Sequence, residues 1–348
     1  MFGSSSSSGN PNGDSELVTP PSETVSSVAW SPKANFIVAG SWDKTVRCWE
    51  VQSSGSNVNS VAKAQHTAQA PVLCTDWYDD GSKVFLGGCD KKAFLWDLGS
   101  NQAQQVGEHQ SGINCISFFR SPTAGELVVT GSWDKTLKFW DVRQPKMVLS
   151  HNLSDKVSCM DVKYPLCAVA TENKKVTVFN LEQPQNPFKE VETQLKLQTR
   201  SVSCFIDKSG FTIGSIEGRV RVEYLNPTST QQSFAFKCHR DSTKNLAYAV
   251  NSMAFHPTHG TFVTAGSDGA FHFWDKDSKQ RLKQFKNCSA PITCARFNHT
   301  GDLLAYSVGY DWSKGAGSYN EYKSNNHIYI HPTPESEIKS KPKKKGFR

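Results

Sequence analysis

Two short patterns recur along the chain at a spacing near 45 residues, and this repetition constrains the fold more than any other feature. The first pattern alternates Val or Ile with small and aromatic residues, as in Val25–Trp30 and Ile113–Phe118. Seven copies begin 41 to 48 residues apart, and those starting at Val157 and Val202 are weak. Alternation with a period of two is typical of short β-strands. The chain is therefore expected to consist of seven similar β-units.

A second pattern follows each copy of the first. It reads Gly-Ser-Trp-Asp-Lys-Thr at 40–45 and 131–136, is recognisable at 87–92 and 266–271, and is degenerate in the other units. A Gly-Ser-x-Asp turn reverses the chain while the Asp accepts backbone N–H bonds, so each unit is predicted to be a four-stranded antiparallel sheet. Sheets arranged radially bury both faces against their neighbours. The predicted fold is all-β, a seven-bladed β-propeller.

The ring needs a closing strand, because residues 291–331 supply only three strands for the last unit. The segment Glu16–Thr19 precedes the first unit, and we expect it to pair there as the outer strand of blade seven. The predicted organisation is a disordered Ser/Gly-rich N-terminus at 1–14, the propeller at 15–335 and a disordered basic tail at 336–348.

Acidic residues at the turns are assigned a structural role. Together with His66 and His109, which precede inner strands, they are expected to tie strand ends together through buried hydrogen bonds. These turn residues are Asp43, Asp90, Asp134, Asp268 and Asp311.

The sequence shows no motif of catalysis or cofactor binding. It contains no G-x-S-x-G elbow, phosphate-binding loop, H-E-x-x-H helix or EF-hand loop, so no enzyme activity, cofactor or metal site is predicted. Five of the ten cysteines occupy the third position of the first pattern and are expected to pack as small core residues. No run of 18 apolar residues or signal sequence is present, which predicts a soluble intracellular protein without membrane association.

Most of the net charge of +7 lies at the C-terminus. Such a tail favours nucleic acid or a nuclear transport receptor as partner, although a solvated chain end explains it equally well. The basic residues of the tail are Lys339, Lys341, Lys343, Lys344, Lys345 and Arg348.

The repeats resemble the WD40 family over roughly residues 15–335. Further strings depart from the generic repeat and are similar to the nuclear-pore-associated mRNA export factors within that family. They lie at 198–200, 214–220, 234–240, 256–261, 266–271, 273–277 and 310–315.

The resemblance implies a non-enzymatic adaptor that docks on the GLEBS hairpin of an FG-repeat nucleoporin and binds single-stranded RNA or messenger ribonucleoprotein. It implies a monomeric propeller within a heterodimer, located in the nucleus and at the pore, shuttling to the cytoplasm, with a mitotic role beside checkpoint or spindle proteins. Two alternatives stay open. One is a GLEBS-binding mitotic checkpoint propeller, and the other is a cullin ubiquitin-ligase receptor that docks through the W-D-x-R string at Trp140–Arg143.

Tryptophans at the turn tips suggest a partner surface. Trp42 and Trp133 stand directly before the turn Asp, and Trp312 follows Asp311. Exposed aromatics concentrate at binding hot spots, so we assign these three residues to the nucleoporin-binding face. The alternative is that each indole packs on an adjacent blade.

A second surface, basic and aromatic, is predicted on the outer side of blades five and six. In the family this region is a groove for nucleic acid and viral proteins, and Lys279 and Arg281 match its two basic residues in exchanged order. Basic groups would bind phosphates while aromatics stack on bases. The alternative for Trp274 is a WD-repeat core residue. The predicted groove comprises Arg219, Phe236, Trp274, Lys276, Lys279 and Arg281.

Overall fold

Seven four-stranded antiparallel sheets form the molecule, as described by a computed structural model for residues 10–54, 57–144 and 146–340. The first strand of each sheet contacts the first strands of both neighbouring sheets, and those of blades one and seven contact each other. The ring is therefore closed, which confirms the predicted seven-bladed propeller.

Blades one to four follow one another in chain order. The closing strand is β1 (Ser15–Glu16). Blade one contains β2 (Val25–Trp30), β3 (Phe36–Ser41), β4 (Thr45–Ser54) and β5 (Asn57–Thr67). Blade two contains β6 (Val72–Trp77), β7 (Lys83–Gly88), β8 (Lys92–Asp97) and β9 (Gln102–Glu108). Blade three contains β10 (Ile113–Ser121), β11 (Gly125–Ser132), β12 (Thr136–Asp141) and β13 (Lys146–Asn152). Blade four contains β14 (Val157–Lys163), β15 (Leu166–Thr171), β16 (Lys175–Asn180) and β17 (Lys189–Glu192).

Blades five to seven carry the additional elements. Blade five contains β18 (Thr199–Cys204), β19 (Gly210–Ser215), β20 (Arg219–Tyr224) and β21 (Phe234–Lys237), and a small hairpin follows with β22 (Arg240–Asp241) and β23 (Leu246–Ala247). Blade six contains β24 (Val250–Phe255), β25 (Phe262–Gly266), β26 (Phe271–Asp275) and β27 (Gln280–Gln284). Blade seven contains β28 (Ile292–Phe297), β29 (Leu303–Val308), a 3₁₀ turn (Ala316–Ser318), α1 (Tyr319–Tyr322) and β30 (His327–Pro332), and α2 (Glu335–Ile338) follows.

The core lies between the blades rather than at one centre. Each pair of adjacent sheets encloses its own cluster of buried apolar side chains in the described residues, and seven such clusters surround the ring. Between blades one and seven, for example, Trp49 packs with Leu17 and Ile330. Because strands alternate their side chains between two faces, each sheet contributes to two clusters.

The N-terminal strand closes the ring, but it is shorter than predicted. Ser15 and Glu16 pair with β30, and the N–H of Leu17 donates to Ile328 at 2.9 Å. Leu17 is buried, whereas Thr19 has a φ of 47° and leaves the extended conformation. The strand therefore ends before Thr19.

Both predicted domain boundaries fall inside ordered structure. The hydroxyl of Tyr306 donates to Asp14 at 2.6 Å, and Asn10 also bonds to Tyr306, so residues 10–14 belong to the propeller. At the other end Ile338 is fully buried, so the folded chain extends beyond residue 335. Residues 1–9 and 341–348, where the remaining disorder is predicted, lie outside the described residues. Within the described ranges no helix has the length and apolar character needed to cross a membrane.

Candidate functional site: two recognition surfaces

A hydrogen-bond network ties the turn of blade three to the strand before it. The Nδ1 of His109 lies 2.9 Å from Asp134, and its Nε2 lies 2.8 Å from the hydroxyl of Thr130. The indole N–H of Trp140 donates to that hydroxyl at 2.8 Å. Burial lowers the pKa of His109 to about 4, so the imidazole is neutral at physiological pH. The network holds the fold, and its histidine has no free nitrogen for chemistry.

Blade six repeats this network. His239 lies 2.9 Å from Asp268 and 2.8 Å from Thr264, which accepts the indole N–H of Trp274 at 2.9 Å. The polar end of Trp274 is therefore committed to the core, and only its ring is available to a ligand. His272 joins His239 and Asp268 in a group with metal-ligand atoms, but the network already engages both nitrogens of His239. His239 and Asp268 are thus engaged by the fold, whereas Nδ1 of His272 is buried without a hydrogen-bond partner among the described residues.

The other turn acids are less uniform. Asp43 accepts from the N–H groups of Ser22 and Thr45, whereas Asp90 accepts from Lys92 at 3.2 Å. Asp311 instead crosses to blade six, where it bonds to Asn251 and to Ser267. The other predicted histidine, His66, packs beside Trp96 at 5.9 Å between ring centroids.

A cavity of about 530 Å³ occupies the central channel. Its acidic groups serve the fold. Asp76 accepts from the backbone N–H of Phe118 at 2.8 Å, and Asp161 accepts from that of Cys204 at 2.6 Å. Both donors belong to the neighbouring inner strand, so these hydrogen bonds hold adjacent blades together.

Trp42 and Trp312 meet on the end of the propeller that carries the turns between second and third strands, which we call the turn face. Their ring centroids are 5.1 Å apart, and Trp312 also stacks on Tyr319 at 5.4 Å. The segment 309–326 of blade seven forms this cluster, because its 3₁₀ turn and α1 place Tyr319 beside blade one. Trp133 stands apart, since its ring packs over Gly112 and beside Leu73 in the groove between blades two and three.

Four lysines occupy equivalent positions on the turn face, directly after the turn Asp or its counterpart. Each has a φ between 68° and 70°, each is exposed, and each offers its backbone carbonyl to the N–H that follows the outer strand of its blade. This left-handed conformation is unusual for a residue with a Cβ. It holds four ammonium groups at the tips of successive blades: Lys44, Lys91, Lys135 and Lys174.

Exposed basic residues follow the outer strand of blade six: Lys279 directly precedes β27, and Arg281 and Lys283 lie on it. We call these three residues the cation row. Lys279 lies over the ring of Phe234 at 4.6 Å, and Arg281 lies over Trp274 at 5.9 Å. Lys283 is ion-paired with Glu337 at 3.2 Å, whereas within the described chain no ion pair neutralises Lys279 or Arg281. Two cations supported by aromatic faces are therefore open to an anionic ligand.

The rings beneath the cation row contact one another. Phe236 and Trp274 have centroids 4.6 Å apart, and both are half-buried between blades five and six. A cleft of about 230 Å³ lies beside them, lined by Phe234, Lys276 and Lys279 among others. The structure thus places Phe236, Trp274, Lys279 and Arg281 beside one another between blades five and six.

Lys276 does not join them at the surface. Its side chain is only 5% exposed, and its ammonium lies 2.8 Å from Asp277 and over the rings of Phe205 and Tyr224 at 5.0 and 5.7 Å. A charge held there stabilises the packing of blades five and six. The prediction that Lys276 binds a phosphate is corrected accordingly.

Arg219 is also separated from the predicted groove. It pairs opposite Lys237, and the next residue pairs opposite Phe236, so Arg219 and Phe236 point to opposite faces of the sheet. Arg221, on the same face as Arg219, bonds to Gln194 of blade four. Arg219 therefore faces blade four, and its Nε lies 3.8 Å from Glu217.

Sequence reasoning missed several residues of these surfaces. Three of the four turn-face lysines follow a turn Asp in an Asp-Lys pair that recurs in the sequence, and Lys174 follows Asn173. Phe234, Lys283 and Tyr319 carry no such signal, because their positions depend on a blade pairing and on the 309–326 segment.

Comparison with known proteins agrees with this architecture. The family described as WD domain, G-beta repeat, matches residues 15–50, 55–97, 101–141 and 231–275. The poly(A)+ RNA export protein of Schizosaccharomyces pombe is 45% identical over 342 residues, covering 98% of this chain and 96% of the relative. The RAE1 protein of Arabidopsis thaliana is 48% identical over 334 residues, covering 96% and 95%. The mRNA export factor of Danio rerio is 45% identical over 358 residues, covering 99% and 96%.

The fold and the repeats define a WD40 propeller, a non-enzymatic scaffold that works through its surfaces. Within that class, the identity over nearly the whole chain shows that this protein belongs to the mRNA export factor family.

Proposed function

We propose that this protein is an mRNA export adaptor that docks a nucleoporin hairpin on its turn face and binds single-stranded RNA along the outer strand of blade six. The names of its relatives support the export function. The observation that carries the docking surface is the cluster of Trp42, Trp312 and Tyr319 beside the row of left-handed lysines. Such an adaptor acts in the nucleus and at the nuclear pore.

The turn face suits an acidic and apolar hairpin. Its aromatic rings offer apolar area, and Lys44, Lys91 and Lys174 offer positive charge that steers an acidic partner, whereas Lys135 is ion-paired with Asp155 at 3.1 Å. The indole N–H of Trp312 is buried without an acceptor among the described residues. A carbonyl or carboxylate supplied by a docked hairpin would remove the cost of this unpaired donor.

Charge reversal at two turn tips tests the docking surface with little risk to the fold. We expect Lys44→Glu/Lys91→Glu to weaken calorimetric binding of a GLEBS hairpin peptide about tenfold or more, with a smaller salt dependence. Lys208→Glu is the matched control, because Lys208 is also an exposed left-handed lysine (φ 63°) but lies in a turn at the other end of the propeller. Equal affinity of both variants for the peptide would refute the surface.

RNA binding is tested separately on the cation row. We expect Lys279→Gln/Arg281→Gln to weaken binding of unrelated single-stranded RNAs alike, since phosphate contacts carry no sequence information. Hairpin binding by this variant should equal that of the wild type. If the protein co-purifies with a cullin adaptor and binds neither ligand, the result supports the ubiquitin-ligase alternative at Trp140–Arg143 and contradicts the export proposal.

A further inference from the structure

The cleft beside the cation row is walled by two connections between strands. Loop 225–233 joins β20 to β21, and the turn at 276–279 joins β26 to β27. The cleft volume of about 230 Å³ is below the roughly 300–1,000 Å³ of pockets that enclose a drug-sized ligand. This cleft, which we call the side cleft, therefore suits a single flat ring rather than a larger ligand.

The turn at 276–279 is held in place by the buried carboxylate of Asp275. Its Oδ1 accepts the backbone N–H of Asp277 at 2.9 Å, and its Oδ2 accepts the hydroxyl of Ser278 at 2.7 Å. Lys279 has a φ of 57° and leads directly into β27. The backbone that carries Asp277 and Lys279 is therefore ordered before any ligand binds, which lowers the cost of binding.

Asp277 provides the negative charge of the side cleft. Its Oδ1 accepts from the ammonium of Lys276 at 2.8 Å and from the hydroxyl of Tyr224 at 3.4 Å. Among the described residues no hydrogen bond reaches its Oδ2, and the side chain is 55% exposed. One carboxylate oxygen is thus open to an N–H donor, and the long bond from Tyr224 leaves room for a second donor at the other oxygen.

Lys279 and Phe234 connect the side cleft to the cation row. The ammonium of Lys279 lies over the half-buried ring of Phe234 at 4.6 Å. An exposed cation–π contact is weak, so a phosphate bound on the cation row would draw the ammonium away from the ring. The ring face would then be free to stack on a base.

The opposite wall of the side cleft offers amide groups. The N–H of Gln231 donates to the hydroxyl of Thr228 at 3.0 Å, and the N–H of Thr228 donates to the carbonyl of Gln231 at 3.0 Å. These two bonds close a turn that presents the exposed side chains of Gln231 and Gln232. Their N–H groups can donate to a carbonyl oxygen of a ligand.

We propose that the side cleft binds one guanine base of the RNA held by the cation row, with Asp277 accepting from the N1–H and the 2-amino group. This inference rests on the proposed RNA binding of blade six and adds a base preference to it. Guanine presents two adjacent donors that match a carboxylate, and its O6 faces donors such as the glutamine amides. Adenine and cytosine place an acceptor nitrogen beside their amino group, and uracil places its single N–H between two carbonyls, so each fits a carboxylate less well.

The preference is measured by fluorescence anisotropy with an oligouridine roughly 12 nucleotides long and with the same strand carrying one central guanosine. We expect the full chain to bind the guanosine strand about fivefold or more tightly than the oligouridine. A strand with inosine, which keeps N1–H but lacks the 2-amino group, should bind with intermediate affinity.

Asp277→Asn keeps the shape of the side chain but replaces one acceptor oxygen with a donor group. This variant should lose the guanosine advantage while binding the oligouridine as well as the wild type or slightly better, since a negative charge is removed. Its melting temperature confirms that the fold is intact. Glu182→Gln is the matched control, because Glu182 is an exposed carboxylate in the corresponding loop of blade four, and it should keep the full preference.

Three results overturn the base preference. They are equal binding of the guanosine and uridine strands by the wild type, a guanosine advantage that survives in Asp277→Asn, and displacement of the guanosine strand by micromolar guanosine monophosphate. The last result would show a site for a free nucleotide, because a base of RNA gains its affinity from phosphates held on the cation row. If Lys279→Gln/Arg281→Gln binds both strands like the wild type, the RNA-binding function assigned to blade six is itself wrong.

Discussion

The Nδ1 atom of His331 lies 2.7 Å from Oδ1 of Asp14, a residue 317 positions earlier in the chain. Burial alone would lower the pKa of His331, but its hydrogen bonds to Asp14 and Glu337 outweigh burial and raise the pKa to about 8. A protonated imidazole between two carboxylates thus holds Asp14 and Glu337 of α2 beside β30 of blade seven.

This contact predicts a pH-dependent stability. Because the folded pKa of His331 is above the unfolded value near 6.5, the stabilisation is complete below about pH 6.5 and is lost as the pH rises through about 8. We expect Asp14→Asn to cost about 2 kcal/mol at pH 6 and much less at pH 9. Melting temperatures of both proteins at the two pH values check this, and a constant difference would contradict it.

The turn acids should differ in their contribution to stability. Asp134 accepts bonds from His109, Gln110 and Thr136, whereas Asp90 accepts one weak bond from Lys92. Removing a buried acceptor strands its donors, so Asp134→Ala should lower the free energy of unfolding by about 2–3 kcal/mol and Asp90→Ala by less than about 1 kcal/mol. Urea denaturation measures both. Equal losses of unfolding free energy in the two variants would mean that the network around His109 does not contribute to stability.

Charge reversal at two neighbouring lysines should affect the stability of the protein to very different extents. Lys276→Glu places a carboxylate beside Asp277 and between the rings of Phe205 and Tyr224, so we expect at least about 2 kcal/mol of destabilisation. Lys279→Glu changes an exposed side chain and should shift stability by no more than about 0.5 kcal/mol while weakening RNA binding. Thermal unfolding of the two variants distinguishes them. Unchanged thermal stability of Lys276→Glu would contradict the structural role assigned to this lysine.

Gly112 lies against the ring of Trp133, and substituting this glycine tests whether that ring binds the hairpin. A Cβ at residue 112 would lie 2.8 Å from the indole, so Gly112→Ala must displace Trp133. We expect this variant to keep its fold and to bind the nucleoporin hairpin several-fold more weakly, and Trp133→Ala to lose about 2 kcal/mol of binding. Calorimetry with the hairpin peptide decides, and wild-type affinity in both variants would exclude Trp133 from the docking surface.

The repeat signals were sufficient to predict the seven blades and the closure of the ring. They were insufficient wherever a residue's neighbours come from a degenerate blade. Blade five lacks a clear second pattern, so the sequence did not predict on which face of the sheet the side chain of Arg219 lies. Lys276 is buried by Phe205 and Tyr224 of that same blade. The contact between Trp42 and Trp312 depends on the 309–326 segment, whose length no repeat pattern explains.

The pairing of β1 with β30 has a consequence for the order in which the protein matures. During synthesis, Ser15 and Glu16 emerge early but find their partner only after Pro332 has left the ribosome. Until then six blades can assemble while the nascent chain presents unpaired sheet edges on both sides of the gap. The final step joins positions more than 300 residues apart, and a pairing of such large sequence separation closes slowly.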